Sequence, residues 1–179
     1  MALIKPVKGI LPRFGEHIFL ADNATITGDV VMGDNCTVWF NAVIRGDVHA
    51  IRIGNNVNIQ DGAIVHCTYR KSPTTIGDNV SIAHGAIVHG CTIGNNVLIG
   101  MGAIVMDDVV VESNSIVAAG ALIPKGTVVT SGSVWAGVPA KKIKETDANL
   151  LEGEIMRIAN SYNTYATWYD EQGPWQELP

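Results

Sequence analysis

Three of the five histidines in the sequence, His66, His84 and His89, lie close together in the chain. Neutral imidazoles are common ligands of Zn²⁺, and three of them with one open coordination position describe a catalytic zinc site. We therefore predict that these three histidines are metal ligands. His17 and His49 lie apart from this group and are expected to be ordinary surface or hydrogen-bonded residues.

A six-residue repeat begins at Ile26 and must position these histidines. A helix with 3.6 residues per turn cannot keep a strict period of six over about a hundred residues, whereas a parallel β-helix has that period. Because three repeats make one triangular coil, the sequence predicts an all-β solenoid of about six coils. The inward apolar positions are Ile26, Met32, Val38, Ile44, Ile53, Ile59, Val65, Ile76, Ile82, Val88, Ile93, Ile99, Val105, Val111, Val117, Ile123, Val129 and Trp135.

The register of the repeat predicts which side chains are neighbours, because every third repeat lies on the same face. Arg45, His66 and His89 each follow an inward residue on one face, with the two histidines one strand spacing (~4.8 Å) apart. His84 lies on a neighbouring face, beside Gln60, and is not expected to reach them within one solenoid. In a three-fold assembly, His84 could complete a three-histidine site across the interface.

The repeat is interrupted three times, and all the interruptions fall in the stretch that carries the histidines. Insertions in a rigid solenoid commonly mark its functional face. The repeat has three extra residues between Ile44 and Ile53 and five between Val65 and Ile76, whereas one residue is missing between Val88 and Ile93.

The repeat ends after Lys141, and the remaining sequence predicts a helix capped by Thr146 or Asp147. Apolar and aromatic residues at helical spacing predict an amphipathic helix packed on the solenoid wall. These residues are Ile155, Ile158, Tyr162, Tyr165, Ala166 and Tyr169. The chain is therefore divided into a β-helix domain, residues 1–142 with a lead-in segment, and a C-terminal helical segment, residues 143–179.

The composition argues against several classes of protein. Apolar residues make up 47% of the chain and charged residues 16%, which is atypical of a disordered chain. The net charge of −5 comes without a basic stripe, so nucleic acid is not an expected partner. No apolar run approaches the ~18 residues of a membrane span, and no signal peptide is recognisable. The three cysteines form no CxxC motif, and we expect a cytoplasmic protein.

Several motifs resemble the γ-class carbonic anhydrases, a group within the hexapeptide-repeat superfamily of left-handed β-helix proteins. They are Ala42–Val48, Asn58–Gly62, His66 and Ala83–Cys91, and the resemblance extends over nearly the whole chain. It implies a homotrimer with three interfacial metal sites, each with His66 and His89 from one subunit and His84 from the next. The implied metal is Zn²⁺, with Fe²⁺ or Co²⁺ as alternatives. The implied reaction is the reversible hydration of CO₂ to bicarbonate by hydroxide bound to the metal.

The resemblance also implies roles for residues around the metal. Gln60 and Asn58 match residues that orient the hydroxide and CO₂. Arg45 and Asp61 match an ion pair across the subunit interface. Two further residues match less directly: Asp47 corresponds to an acidic residue at the interface or behind the ligands, and Tyr165 corresponds to a helix tyrosine that enters the site in some relatives. Arg45, Asp47 and Asp61 could equally serve only to hold the trimer together.

The sequence departs from the best-known γ-class pattern at the positions that move protons. Val48 stands where that pattern has a glutamate directly after the residue matched by Asp47. The loop that carries a proton-shuttle glutamate is short here and contains Arg70 and Lys71. Without such a shuttle, we expect turnover to be slow.

Two other functions remain open at this point. Ala136–Lys141 resembles the end of the solenoid in hexapeptide acyltransferases, which use acyl-CoA, although such a transferase needs one base histidine and not three. A non-catalytic trimeric metal-binding protein is the other alternative, and it is favoured by Val48 and by the basic loop.

Overall fold

The apolar residues of the six-residue repeat fill the interior of a parallel β-helix in the computed structural model, which describes residues 1–170. Ile26, Ile44, Ile59, Ile82 and Ile99 are all completely buried. Their stacking in successive coils forms one continuous core along the axis of the solenoid. Each buried isoleucine stabilises the fold by about 1.5–3 kcal/mol relative to an exposed one.

The strands form three faces, and β4 and β6 bend around the corner between the first two. The first face contains β1 (Leu3–Lys5), the beginnings of β4 (Thr25–Met32) and β6 (Val43–Ile53), β8 (Ile64–His66), β11 (Ile87–His89), β14 (Ile104–Val105) and β17 (Leu122–Ile123). The second face contains β2 (Arg13–Phe14), the ends of β4 and β6, β9 (Thr74–Ile76), β12 (Thr92–Ile93), β15 (Val110–Val111) and β18 (Val128–Val129). The third face contains β3 (Phe19–Leu20), β5 (Thr37–Val38), β7 (Asn58–Ile59), β10 (Val80–Ile82), β13 (Val97–Ile99), β16 (Ile116–Val117), β19 (Ser133–Gly137) and β20 (Ala140–Glu145).

The register predicted from the repeat is confirmed. On the first face, Val65 pairs with Val88 and His66 pairs with His89, and on the third face Ile59 pairs with Ile82. The number of coils is about seven and not about six. The reason is that the lead-in segment itself pairs with the solenoid, since β1 and β2 lie against β4 and β3 lies against β5.

Asparagines in the left-handed conformation form one corner of the solenoid and also hold the C-terminal helix. The side-chain amides of successive coils bond to one another at 2.9 Å, in the order Asn56, Asn79, Asn96 and Asn114. These residues have φ values of +54° to +60°, a region that asparagine tolerates better than most residues. Asn160 and Asn163 of the helix bond to Asn56 at 2.9 and 2.7 Å, so the ladder continues onto the helix.

The C-terminal helix begins after Asp147, whose side chain accepts a hydrogen bond from the Leu150 N–H at 2.8 Å. It consists of α1 (Ala148–Leu150), a π-helical segment (Leu151–Met156) and α2 (Arg157–Thr167). Ile155 is buried against Ile116 and Val134 of the third face. The predicted cap and the predicted packing on the wall are therefore both present. No helix within residues 1–170 is long and apolar enough to cross a membrane.

Two predicted boundaries differ from the observed elements. Tyr169 lies beyond the end of α2, where its ring packs 5.6 Å from that of Trp39. Strand β20 runs across the predicted division at residues 142–143, because it folds back in an antiparallel pair on β19. The last nine residues of the predicted helical segment, 171–179, lie outside the described residues. The division into 1–142 and 143–179 stays a prediction.

Candidate metal centre

His66 and His89 lie side by side on the first face, because β8 and β11 are adjacent parallel strands in register. Both side chains point away from the core, since each follows an inward valine. Their ring centroids are 5.0 Å apart, and His66 Nδ1 lies 3.0 Å from His89 Nε2. We call these two residues the strand pair.

Asp47 orients the imidazole of His66. Asp47 Oδ1 lies 3.0 Å from His66 Nε2, while Asp47 Oδ2 accepts a hydrogen bond from Arg45 Nη1 at 2.5 Å. Arg45 Nη2 also lies 3.5 Å from His66 Nδ1. Since an ionised carboxylate only accepts and a guanidinium only donates, this arrangement places the His66 proton on Nε2 and leaves a lone pair on Nδ1.

Asp107 orients the imidazole of His89 in the same way. Its Oδ1 lies 2.7 Å from His89 Nδ1, and its Oδ2 accepts a hydrogen bond from the Thr68 hydroxyl at 2.8 Å. The His89 proton is therefore on Nδ1, and Nε2 carries the lone pair. Asp107 was not among the predicted site residues. Its position in the sequence could have indicated this role. Asp107 lies in the turn directly after β14, and β14 pairs with β11, the strand that carries His89.

The two lone pairs of the strand pair face each other, which is unfavourable unless a cation lies between them. In a tetrahedral site with metal–nitrogen bonds of 2.0–2.1 Å, two ligand nitrogens lie ~3.3 Å apart. The observed 3.0 Å is close to that separation. Metal-bound histidines commonly donate their second N–H to a carboxylate, as both histidines do here. The donor set of the strand pair therefore fits two of the ligands of a zinc-like ion.

The electrostatic surroundings keep His66, Asp47 and Asp107 in the protonation states that a metal requires. Burial lowers the pKa of His66 and the charge of Arg45 lowers it further, so the net pKa is below its ordinary value despite the bond to Asp47. Burial raises the pKa of Asp47, but the hydrogen bonds from His66 and Arg45 outweigh this effect and the net pKa is lowered. The same balance, with hydrogen bonds from His89 and Thr68, lowers the pKa of Asp107. Neutral imidazoles held by ionised carboxylates are the state that binds metal.

His84 lies on a different part of the solenoid, at the corner that follows β10. Its Nδ1 lies 3.0 Å from Asp61 Oδ2, so His84 is the third histidine with a carboxylate on one ring nitrogen. The hydroxyl of Tyr162, from α2, lies 3.3 Å from His84 Nε2. Within residues 1–170 of one chain, no three His, Cys, Asp or Glu side chains form a group that could hold a metal ion.

A cleft of about 400 Å³ lies between the third face and the C-terminal helix, next to His84. Gln60 and Tyr165 also line it, so the structure brings these predicted residues together with His84. Gln60 Nε2 donates to Asn58 Oδ1 at 2.9 Å, and Asn58 Nδ2 donates to the Ser81 hydroxyl at 2.8 Å. We call Asn58, Gln60, Asp61, His84, Tyr162 and Tyr165 the corner cluster. Tyr162, which the sequence predicted only as a packing residue, is the tyrosine that contacts His84.

The other histidines and the cysteines have different surroundings. His49 Nδ1 accepts a hydrogen bond from the Ala50 N–H at 2.8 Å, and within residues 1–170 no carboxylate bonds to its ring as one does at each histidine of the strand pair. Cys67 and Cys91 are buried, and burial raises the pKa of their thiols to about 11 and about 12. Since only the thiolate is a good metal ligand, these cysteines act as core residues.

Comparisons with known proteins agree with this fold. The family model "Bacterial transferase hexapeptide (six repeats)" matches residues 90–125. A protein named carbonic anhydrase from Geobacillus kaustophilus is 40% identical over 167 residues, which cover 93% of this chain and 91% of that protein. Gamma carbonic anhydrase 2 from the mitochondria of Arabidopsis thaliana is 40% identical over 159 residues, which cover 86% of this chain and 56% of that protein.

Among solved structures, the crystal structure of a hexapeptide transferase family protein from Anaplasma phagocytophilum is similar over its whole length. The TM-score is 0.88 at 40% identity, and the match covers 93% of this chain and 98% of that one. The predicted fold, a left-handed parallel β-helix with a C-terminal helix, is confirmed. The chain belongs to the γ-carbonic anhydrase-like family of hexapeptide-repeat proteins.

Proposed function

We propose that this protein is a homotrimeric γ-class carbonic anhydrase that interconverts CO₂ and bicarbonate. The observation that carries the proposal is that three histidines each have a carboxylate on one ring nitrogen: Asp47 on His66, Asp61 on His84 and Asp107 on His89. This pattern is typical of metal ligands and is not needed for packing. The relatives named carbonic anhydrases, at 40% identity, support the same reaction.

In this proposal each metal site lies between two subunits, with the strand pair of one copy and His84 of the next. Zn²⁺ is the proposed ion, and Fe²⁺ or Co²⁺ would suit the same imidazoles. When bound, such a metal acts as a Lewis acid that makes water a nucleophile near neutral pH. The strand pair supplies two lone pairs at a fixed separation, and the carboxylates of Asp47 and Asp107 hold them there.

The surface beside the strand pair supports a homotrimer. An outward-facing row of apolar side chains crosses the strands of the first face, and within it Ile64 is 39% exposed and Ile104 is 37% exposed. A contiguous apolar row of this kind is typical of an interface. A closed three-fold ring would cover this row with the neighbouring copy, which would also bring its corner cluster to the strand pair. The row consists of Val43, Ile64, Ile87, Ile104 and Leu122.

Gln60 is the residue proposed to orient the reacting water and CO₂. Its amide is fixed because Nε2 donates to Asn58, which leaves the carbonyl oxygen to accept from a water in the cleft. Hydration also releases one proton for each bicarbonate formed. Val48 stands where the best-known γ-class pattern has a glutamate, and the loop that carries the shuttle glutamate in that pattern is short here and contains Arg70 and Lys71. We therefore propose that the proton passes to buffer and that turnover is slow.

Complementation between two inactive variants tests the shared site. His84→Ala and His89→Ala each remove one ligand, so each homotrimer should bind no zinc at its sites and should not hydrate CO₂. Co-expression should restore about one quarter of the sites, because random mixing leaves one intact interface in each mixed trimer. Zinc content and stopped-flow hydration measure this recovery. If all three ligands came from one chain, mixing would restore nothing.

A concentrated buffer distinguishes slow turnover from no turnover. Hydration by the wild-type protein should rise strongly with buffer concentration if proton release is limiting. If the mixed trimer binds zinc but hydration is absent even in concentrated buffer, the protein is a trimeric metal-binding protein and not an anhydrase.

A hexapeptide acyltransferase that uses acyl-CoA is the second candidate function. It is favoured by the cleft beside His84, which is larger than CO₂ requires and is lined by apolar residues such as Leu98, Ile116 and Ile158. The solved relative named as a transferase also supports it. Release of thiol from acetyl-CoA in the presence of a chelator, lost in His84→Ala but kept in His89→Ala, would favour this candidate over ours.

We also propose that the protein works in a reducing compartment, the cytoplasm. Cys36, Cys67 and Cys91 are buried free thiols within the core of the solenoid. Fluorescence of a tagged protein in its source cells, compared with a cytoplasmic marker, tests the location.

A further inference from the structure

Asp107 is tied to the metal centre and to an inserted loop at the same time. Asp107 Oδ1 lies 2.7 Å from His89 Nδ1, and Asp107 Oδ2 accepts a hydrogen bond from the Thr68 hydroxyl at 2.8 Å. Thr68 lies in the loop between β8 and β9. Each carboxylate oxygen therefore has a hydrogen-bond partner, and the carboxylate cannot rotate without losing one of these bonds.

The backbone around His89 is shaped to admit this carboxylate. Gly90 has a φ of +56°, and a Cβ at that position would lie 2.2 Å from Asp107 Oδ1. The N–H of Asp108 donates to the Gly90 carbonyl at 2.7 Å, which locks the turn after β14 onto the turn after β11. Only glycine therefore allows Asp107 to approach His89 from this side.

The same loop makes a second hydrogen bond, from Ser72 to Asp108, whose carboxylate is not the one on His89. The hydroxyl of Ser72 donates to Asp108 Oδ1 at 2.5 Å, and Lys125 Nζ lies 3.2 Å from Asp108 Oδ2. Asp107 and Asp108 are therefore neighbouring carboxylates, each bonded to a hydroxyl of one loop. Only Asp107 contacts a predicted metal ligand, which makes Asp108 a matched control.

We infer that Asp107, held by Thr68, is a positioning residue that fixes the tautomer and the ring orientation of His89 so that Nε2 is its ligand atom. The zinc part of this inference rests on the proposed function, whereas the tautomer part concerns the metal-free protein. Without Asp107, the proton of His89 can move to Nε2 and the ring can turn away from His66. Thr68 acts one step further away, by keeping the carboxylate aimed at His89.

The test measures two quantities, the tautomer of His89 in the metal-free protein and the affinity of the protein for zinc. Nitrogen-15 NMR of the metal-free protein reports which ring nitrogen carries the proton, and competition with a chelator reports the zinc Kd. We expect Asp107→Ala to lose the Nδ1–H tautomer and to weaken zinc binding about 10- to 100-fold. Thr68→Val should weaken it by about 2- to 10-fold, the value of one hydrogen bond. Asp107→Asn, whose amide oxygen still accepts from Nδ1–H, should keep the tautomer and recover part of the affinity.

Asp108→Ala is the control, and it should leave both the tautomer and the zinc Kd unchanged. If Asp107→Ala behaves like Asp108→Ala in both measurements, the inference is overturned. If Asp107→Ala does not fold, Thr68→Val and Asp107→Asn decide by the same two readouts. If the wild-type protein binds no zinc, the proposed function fails, but an unchanged tautomer in Asp107→Asn and a lost one in Asp107→Ala would still establish the positioning role.

Discussion

In both the strand pair and the corner cluster, a carboxylate lies on one ring nitrogen of each histidine. The two regions differ in the backbone geometry that places the histidines. His66 and His89 are on adjacent parallel strands at paired positions, and their ring nitrogens lie 3.0 Å apart. His84 is at a corner, where its side chain contacts Asp61 and Tyr162. All three have a carboxylate on one nitrogen, but only the first two meet in one chain.

The difference shows what a β-helix can and cannot build alone. Successive coils place equivalent positions one strand spacing (~4.8 Å) apart, so two ligands on one face are neighbours. A third ligand on the same face would extend the row and would not surround the ion. A tetrahedral site therefore needs a ligand from another direction, and the corner of a second copy can provide it.

The largest effect is expected from a variant that breaks the proposed trimer and so separates the two regions. Ile104→Asp puts a charge in the apolar row of the first face, and burying it would cost several kcal/mol. We expect monomers in sedimentation velocity, and zinc affinity should fall by more than about 100-fold because three ligands no longer meet. Val110→Asp is the matched control, since Val110 is also 37% exposed but lies on the second face. Full zinc content in an Ile104→Asp monomer would contradict the shared site.

An intermediate effect is expected from the carboxylate of the corner cluster. Asp61→Ala removes the acceptor on His84 Nδ1, and we expect the zinc Kd to rise by about 10- to 100-fold while the trimer is retained. Asp61→Asn keeps an acceptor oxygen and should recover part of this loss. Chelator competition measures the Kd, and sedimentation checks the assembly. Loss of the trimer in Asp61→Ala, with zinc affinity falling as in Ile104→Asp, would instead assign Asp61 to assembly.

The smallest effect is expected from Tyr162, and its sign is opposite. The hydroxyl of Tyr162 lies 3.3 Å from the nitrogen of His84 that would bind the metal, so this contact must break before the metal binds. Tyr162→Phe should therefore tighten zinc binding by about 2- to 5-fold. Tyr165→Phe, in the same cleft, should leave the Kd unchanged. Weaker binding in Tyr162→Phe would mean that the hydroxyl stabilises the metal-bound form.

Several features of the site followed from the sequence because they depend only on local geometry. The period of six predicted the inward positions, and counting by three predicted that His66 and His89 are partners across adjacent strands. The end of the six-residue repeat and a cap at Thr146 or Asp147 predicted where the C-terminal helix begins, and the cap is Asp147. The coil number was too low, because Leu3–Lys5 and Arg13–Phe14 pair with the solenoid without showing the repeat clearly.

The tertiary structure alone decided which side chains complete the site. Asp107 reaches His89 from 18 residues away because the turn of the next coil, opened by Gly90, directs its carboxylate there. Tyr162 reaches His84 from 78 residues away because the asparagine ladder fixes where the helix docks. The sequence by itself determined the solenoid, its register and the strand pair, since strand spacing and repeat period are local properties. The partners of each histidine depended on corner conformation and helix docking, which no local pattern encodes.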